Sequence, residues 1–256
     1  MNLLRIELCK LLPYRTMWVI LGIFVALMLL LLYASSNVSI NGQELGNRMY
    51  DLPRFWQTLA YVASFFNLLF GILLIVLVSD EYSFRTLRQQ VIDGLTRVEL
   101  VLAKFYVVLG LGLFATVFLL LLGLYFGLLH GSQHTLGAVF GQINHLSYYF
   151  VQAVGYMTLA MLFGFAIRKS GLAIIAFVAY AQVVEPLIHF RLPDTVDKYM
   201  PVKVFKSLTP MPAQEVLDQL TAPTEMLSLP WAALLSIGYA GLFCFLSYYL
   251  LKVRDL

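Results

Sequence analysis

A chain of 256 residues with 61% hydrophobic and only 12% charged side chains carries about half the charge of an ordinary soluble domain, too little polar surface to face water on every side. The net charge of +3, without a basic stripe interleaved with aromatics, points away from nucleic acid as a partner. Two cysteines, Cys9 and Cys244, are too few for a disulfide framework and read as reduced packing residues. No linker, repeat or charge block divides the chain, so residues 1–256 read as one all-α, polytopic membrane domain.

In chain order, the first element is a surface helix over residues 2–12. Leu4, Leu8, Leu11 and Leu12 recur at helical spacing, Arg5, Glu7 and Lys10 take the other face, and Pro13 ends the pattern. The alternative is a frayed basic tail that only orients the span after it. Crossing about 30 Å of hydrocarbon takes roughly 20 mostly apolar residues in a helix, which satisfies its own backbone polar groups. Six segments qualify, at about 17–34, 56–79, 105–129, 148–167, 171–190 and 231–251. The first exceeds a typical signal core and no Ala-x-Ala site follows it, so it reads as an uncleaved span.

Six spans place both termini on one side, and the positive charges predict which. Arg5, Lys10, Arg15, Arg85, Arg88, Arg97, Lys104, Arg168, Lys169, Lys252 and Arg254 all fall on the terminal side, which is therefore expected to be cytoplasmic. The other side holds Arg48 and Arg54, no Lys or Arg over 131–147, and a long loop at 191–230 whose acids outnumber its bases.

The richest stretch runs from Glu81 to Lys104, between spans 2 and 3. Phe84, Leu87, Val91 and Leu95 recur every three to four residues, with Arg85, Arg88, Gln89 and Asp93 turned away, predicting a short amphipathic helix over 84–93. Gly94 suits the left-handed stop, and Thr96 with Glu99 has capping-box spacing for a restart. Helix, stop and capped restart make a rigid knob at 81–99.

A surface helix, six spans, and an acidic-aromatic-x-x-x-Thr-Leu-Arg…Arg…Lys segment between spans 2 and 3 resemble the bacterial ABC-2 type transporter permeases. The resemblance implies that 84–93 is the coupling helix, with Glu81, Phe84, Arg85, Leu87, Arg88 and Val91 serving a separate ABC ATPase. It further implies a second permease copy or a related permease as partner, membrane lipids around both, and a place in the bacterial cytoplasmic membrane. Many family members carry Gly-Thr where this chain has Arg85-Thr86, and a Pro before the later Arg where it has Asp93-Gly94. The sequence contains no Gly-x-x-x-x-Gly-Lys-Ser/Thr loop to cradle ATP, so ATP hydrolysis is expected in the partner, and no cofactor is expected here.

Elsewhere, Glu185 lies inside the fifth apolar run just before Pro186, where an ionisable group is expensive unless paired or hydrated. It reads either as a pathway or gate residue, or as a carboxylate bonded to its own chain or capping a re-entrant turn. His130 and His134 have the spacing of a helical metal pair, with His145 nearby, but lack further ligands and read as interfacial residues. Gly123 and Gly127 permit close packing within span 3. Tyr148, Tyr149, Phe150, Tyr248 and Tyr249 fit interfacial aromatic belts. The 191–230 segment, with a helix expected at Gln214 to Leu220, reads as a small external cap or as an exposed loop. Two other functional classes remain open. A secondary transporter would need more buried ionisable groups than Glu185, and an assembly or mechanotransmission protein would need no path.

Overall fold

The computed structural model describes residues 3–36, 39–40, 43–44, 50, 52–130, 136–189, 191–212 and 226–254. The surface helix α1 (Leu3–Leu11) leads through Tyr14 into α2 (Arg15–Ser36), the first span. A two-residue antiparallel pairing of Ser39–Ile40 with Gln43–Glu44 follows. Span 2 is two helices, α3 (Phe55–Ser64) and α4 (Asn67–Ser83), bent by 41°. At the bend the Phe66 and Leu69 amides reach back only three residues, to Ala63 and Phe66, which tightens the backbone and redirects the axis. The short α5 (Thr86–Ile92) precedes span 3, the 34-residue α6 (Arg97–His130).

A short α7 (Leu136–Phe140) leads to span 4, α8 (Asn144–Ile167). Span 5 begins as α9 (Ser170–Ala179), passes through a π turn (Tyr180–Val184) and ends as α10 (Glu185–His189). Then come α11 (Asp194–Asp197), α12 (Pro201–Ser207) and the last span, α13 (Leu229–Val253). The chain is a polytopic, essentially all-helical membrane protein; among the described residues five spans are long and apolar enough to cross a membrane, and a sixth is bent.

Span 4 is the hub, packing against α3, α4, α6, α9, α12 and α13. Lipid is as apolar as a leucine core, so close packing rather than exclusion from water must hold such helices together. The chain achieves it with small residues. A Cβ on Gly155 would come within 2.6 Å of the Phe205 ring, and one on Gly71 within 2.7 Å of Phe177. The Gly123 and Gly127 pair of span 3 serves the same end: a Cβ on Gly123 would lie 2.2 Å from Trp56, and one on Gly127 3.0 Å from Leu52.

The observed helices overlap the six segments read as spans, and helix α6 starts at Arg97, eight residues before residue 105, where the Thr96–Glu99 capping box placed its restart. They differ in two ways. Span 2 is bent. The 191–230 segment contains a buried helix where an external cap or exposed loop was expected; residues 213–225, including the helix expected at Gln214 to Leu220, lie outside the described residues. Pro201 occupies the first turn of α12, and Val204, Phe205 and Leu208 are completely buried against α8 and α13. Gly155, which receives Phe205, lies eleven residues into α8, a depth of about 16 Å, so α12 is re-entrant.

Three side-chain links gather the terminal side. The Arg97 guanidinium donates to the Lys252 carbonyl at 2.9 Å, Arg254 donates to the Ala166 carbonyl at 2.6 Å, and Lys10 bonds Glu81. The surface helix, the α5 knob, the turn at 168–169 and the end of span 6 therefore share one end of the bundle.

Candidate functional site

The knob is built from its backbone upward. As α4 ends, the Phe84 amide bonds the Asp80 carbonyl, and Arg85 adopts a left-handed φ of +56° that turns the chain into α5. This conformation is easy for glycine and strained for arginine. Gly94, at φ +96°, stops α5. The capping box then forms: the Thr96 amide donates to Glu99 Oε2 at 2.8 Å, and the Glu99 amide donates to Thr96 Oγ1 at 3.3 Å.

The structure divides the six residues expected to serve a partner. Leu87 is 2% exposed and packs with Leu95 and Leu100 against Leu3, Tyr82 and the half-buried Val91. Glu81 is also buried. Phe84 is 75% exposed, and Arg85 and Arg88 stand in solvent beside it. Ile92, which the sequence reading passed over, is 68% exposed on the same short element. Its position one residue beyond Val91 placed it outside the apolar stripe, so periodicity alone could not select it.

Below the knob lies an ion quartet that the sequence did not reveal. Lys104 Nζ sits 2.7 Å from Glu7 Oε2 and 2.8 Å from Glu81 Oε1, while Lys10 Nζ sits 2.9 Å from Glu81 Oε1 and 3.3 Å from Glu7 Oε1. Two carboxylates and two ammonium groups balance, and Glu7, Glu81 and Lys104 are buried. Burial alone would lower the Lys10 ammonium, but the charges of Glu81 and Glu7 outweigh it and hold its pKa above the usual lysine value. The Tyr14 hydroxyl adds a bond to Asp80. These contacts lock α1 onto the ends of spans 2 and 3 on the terminal side. Beside the knob a recess of about 400 Å³ is lined by Arg85, Arg88, Arg168, Tyr82, Glu81 and Leu87, with the Arg168 guanidinium 5.1 Å from the Tyr82 ring centre.

On the far side, Glu185 is completely buried and its Oε1 accepts the Lys203 amide at 2.9 Å. The N-cap of α12 is Met200, whose side chain has no oxygen to offer the first turn, and the carboxylate of the neighbouring helix supplies one. Pro186 follows the π turn inside α10, so its missing amide falls where the helix is already irregular. Asp197 bonds both His189 and Lys203, tying the end of span 5 to α12. Nearer the middle, the Asn67 amide donates to Gln152 Oε1 at 3.1 Å and Gln152 donates to Thr209 Oγ1 at 2.9 Å, linking the bend of span 2, the hub and the end of the re-entrant segment.

No group of three metal-binding side chains forms among the described residues. His134 lies outside them, and His145 is buried with its ring 6.4 Å from Tyr148.

A bent span, a π turn and a re-entrant helix around a polar array in one half of the bundle, and a rigid exposed knob on the other, define a multi-pass membrane transport component. Residues 3–183 match the ABC-2 family transporter proteins, and the chain belongs to that family. It is a permease, the non-catalytic part of a transporter whose family generally works with an ATPase subunit. The match takes in the quartet, the knob and the span 2 bend, and ends in the π turn before Glu185. No curated protein matches the chain.

Proposed function

We propose that this permease is the membrane-spanning subunit of an ATP-driven exporter, docked through the 81–99 knob onto a separate ABC ATPase. On this reading the terminal side faces the cytoplasm, the membrane is the bacterial inner membrane, and a second copy or a related permease completes the path. The observation that carries it is the exposure of Phe84 and Ile92 beside Arg85 and Arg88 on an element whose base is immobilised. An apolar side chain left in water on a stiff support has the makings of a binding hot spot, and the adjacent basic recess suits an acidic side chain of the ATPase. Exposed surfaces on spans 1, 5 and 6 leave room for the second permease.

The test is co-purification of the ATPase with permease variants across a salt series. Phe84→Ala and Ile92→Ala are expected to weaken capture at every salt concentration, by about 2 kcal/mol if either is a hot spot. Arg88→Glu is expected to act chiefly at low salt, through association rate. Wild-type capture and ATP-driven activity in both apolar variants would remove the docking assignment and favour a secondary transporter or a mechanotransmission protein.

A further inference from the structure

Three irregularities of the backbone converge on one cleft of about 340 Å³ in the half of the bundle opposite the termini. The bend of span 2 contributes Ser64 and Phe65, the π turn of span 5 contributes Gln182, and the re-entrant segment contributes Lys206 and Thr209. Irregular backbone at membrane depth is tolerated where it is buried in protein or lines a polar cavity, and π turns gather at functional sites. The cleft lining is chemically mixed: Gln152, Gln182, Tyr61 and Thr209 on the polar side, Phe65 and Met211 on the apolar one.

Lys206 is the only charged side chain among the described residues lining it. It is exposed, in contrast to Val204, Phe205 and Ser207 around it, and it forms no salt bridge among the described residues. Lys206 lies near enough to Glu185 for the two charges to interact, but Glu185 Oε1 accepts the Lys203 amide and Lys203 bonds Asp197. An exposed ammonium on such a cleft, with no ion pair among the described residues, favours an anion from outside. Phe65, 64% exposed, brings the same cleft out to the protein surface.

We infer that this cleft is a binding site for an amphiphile with an anionic phosphate head group, the head on Lys206 and the amides of Gln182 and Gln152, the chain leaving past Phe65. The volume accommodates one head group and the start of a chain, at the small end of ligand sites. The inference deepens the exporter reading by giving it a cargo class, yet its test involves neither ATP nor the ATPase.

The measurement is binding of a fluorescently tailed lysophosphatidylglycerol to the permease in phosphatidylcholine nanodiscs, by anisotropy. Lys206→Gln is expected to weaken binding at least about tenfold, the effect of losing one charge-assisted hydrogen bond, and Lys206→Arg to retain it. Gln182→Leu, which leaves the charge in place, is expected to weaken it less. Unlabelled lysophosphatidylglycerol should compete, lysophosphatidylcholine should compete at least about tenfold more weakly, and glycerol phosphate should not compete. Equal competition by the choline head, or wild-type binding by Lys206→Gln, overturns the site. Full competition by glycerol phosphate makes it a free-phosphate site and overturns the amphiphile. Wild-type ATPase capture in both Phe84→Ala and Ile92→Ala, with lipid binding intact, would sink the docking proposal alone.

Discussion

Arg85, like Arg168, holds a left-handed φ that strains an L-residue. An L-residue in the left-handed region loses about 1–2 kcal/mol against its preferred conformations, and glycine escapes this at the expense of unfolded-state entropy. Arg85→Gly should therefore stabilise the turn by up to about 1 kcal/mol, visible as slower hydrogen exchange over residues 86–92, while removing one positive charge from the recess. Glu185 makes a second case. Glu185→Gln keeps an oxygen for the Lys203 amide and should leave stability near wild type, whereas Glu185→Leu strands the first turn of α12 and should cost about 1–3 kcal/mol in thermal unfolding. A Glu185→Gln protein of normal stability that no longer transports would return that residue to the path. Both choices left open by the sequence at Glu185 were reasonable, because burial could be read from the apolar run but the capped partner lies eighteen residues on, in a helix that no periodicity announced.

Among the elements, the quartet sets how firmly α1 and the knob move together. Removing one member of a buried ion group leaves an uncompensated charge, so Lys104→Met should destabilise the permease by about 3 kcal/mol or more. Adding Glu7→Gln restores the charge balance with Lys10 and Glu81 and should recover part of the loss, a comparison readable in detergent by thermal unfolding. The raised Lys10 pKa fixes the direction of its pH dependence. Its stabilising contribution is fully present below the unfolded lysine value and fades only as pH rises through the higher folded value, so Lys10 does not open the lock at neutral pH. Leu87→Ala belongs to the same scale: it empties the Leu95 and Leu100 cluster and should loosen the knob itself by about 2–5 kcal/mol. Phe84→Ala, by contrast, should leave the fold untouched. The stop at Gly94 and the Thr96–Glu99 cap were legible because each is a short-range signal confined to a few residues. The quartet was not, because Glu7, Glu81 and Lys104 are far apart in sequence and each alone reads as a charge that orients a helix end.

For the molecule as a whole, the positive-charge asymmetry predicts that Cys9, exposed on α1, reacts with impermeant thiol reagents only after the membrane is opened, while a cysteine at position 133 reacts in intact cells. The reverse pattern would invert the topology. Apolar length made the spans legible from the start. The re-entrant α12 escaped because seven residues are too few for a hydropathy window, and its partners, Gly155 and Tyr239, belong to distant spans.

The length of span 3 has a mechanical meaning. At 34 residues α6 is a rod of about 51 Å, well beyond the hydrocarbon thickness, with the capped knob at one end and the Trp56 indole seated on Gly123 toward the other. A tilt of about 5° about its foot would carry the far end roughly 4 Å, and Trp56 belongs to α3, the arm of the bent span beside the cleft. A gear needs stiff teeth, and here stiffness is a property of two exposed positions as much as of the core. Replacing Leu113 and Phe114 together by glycine softens the middle of the rod without opening the buried interface. On the proposed exporter reading, the expected result is a permease that still captures an ATPase and supports hydrolysis but moves less cargo for each ATP consumed; unchanged transport per ATP would show that α6 is not the crank.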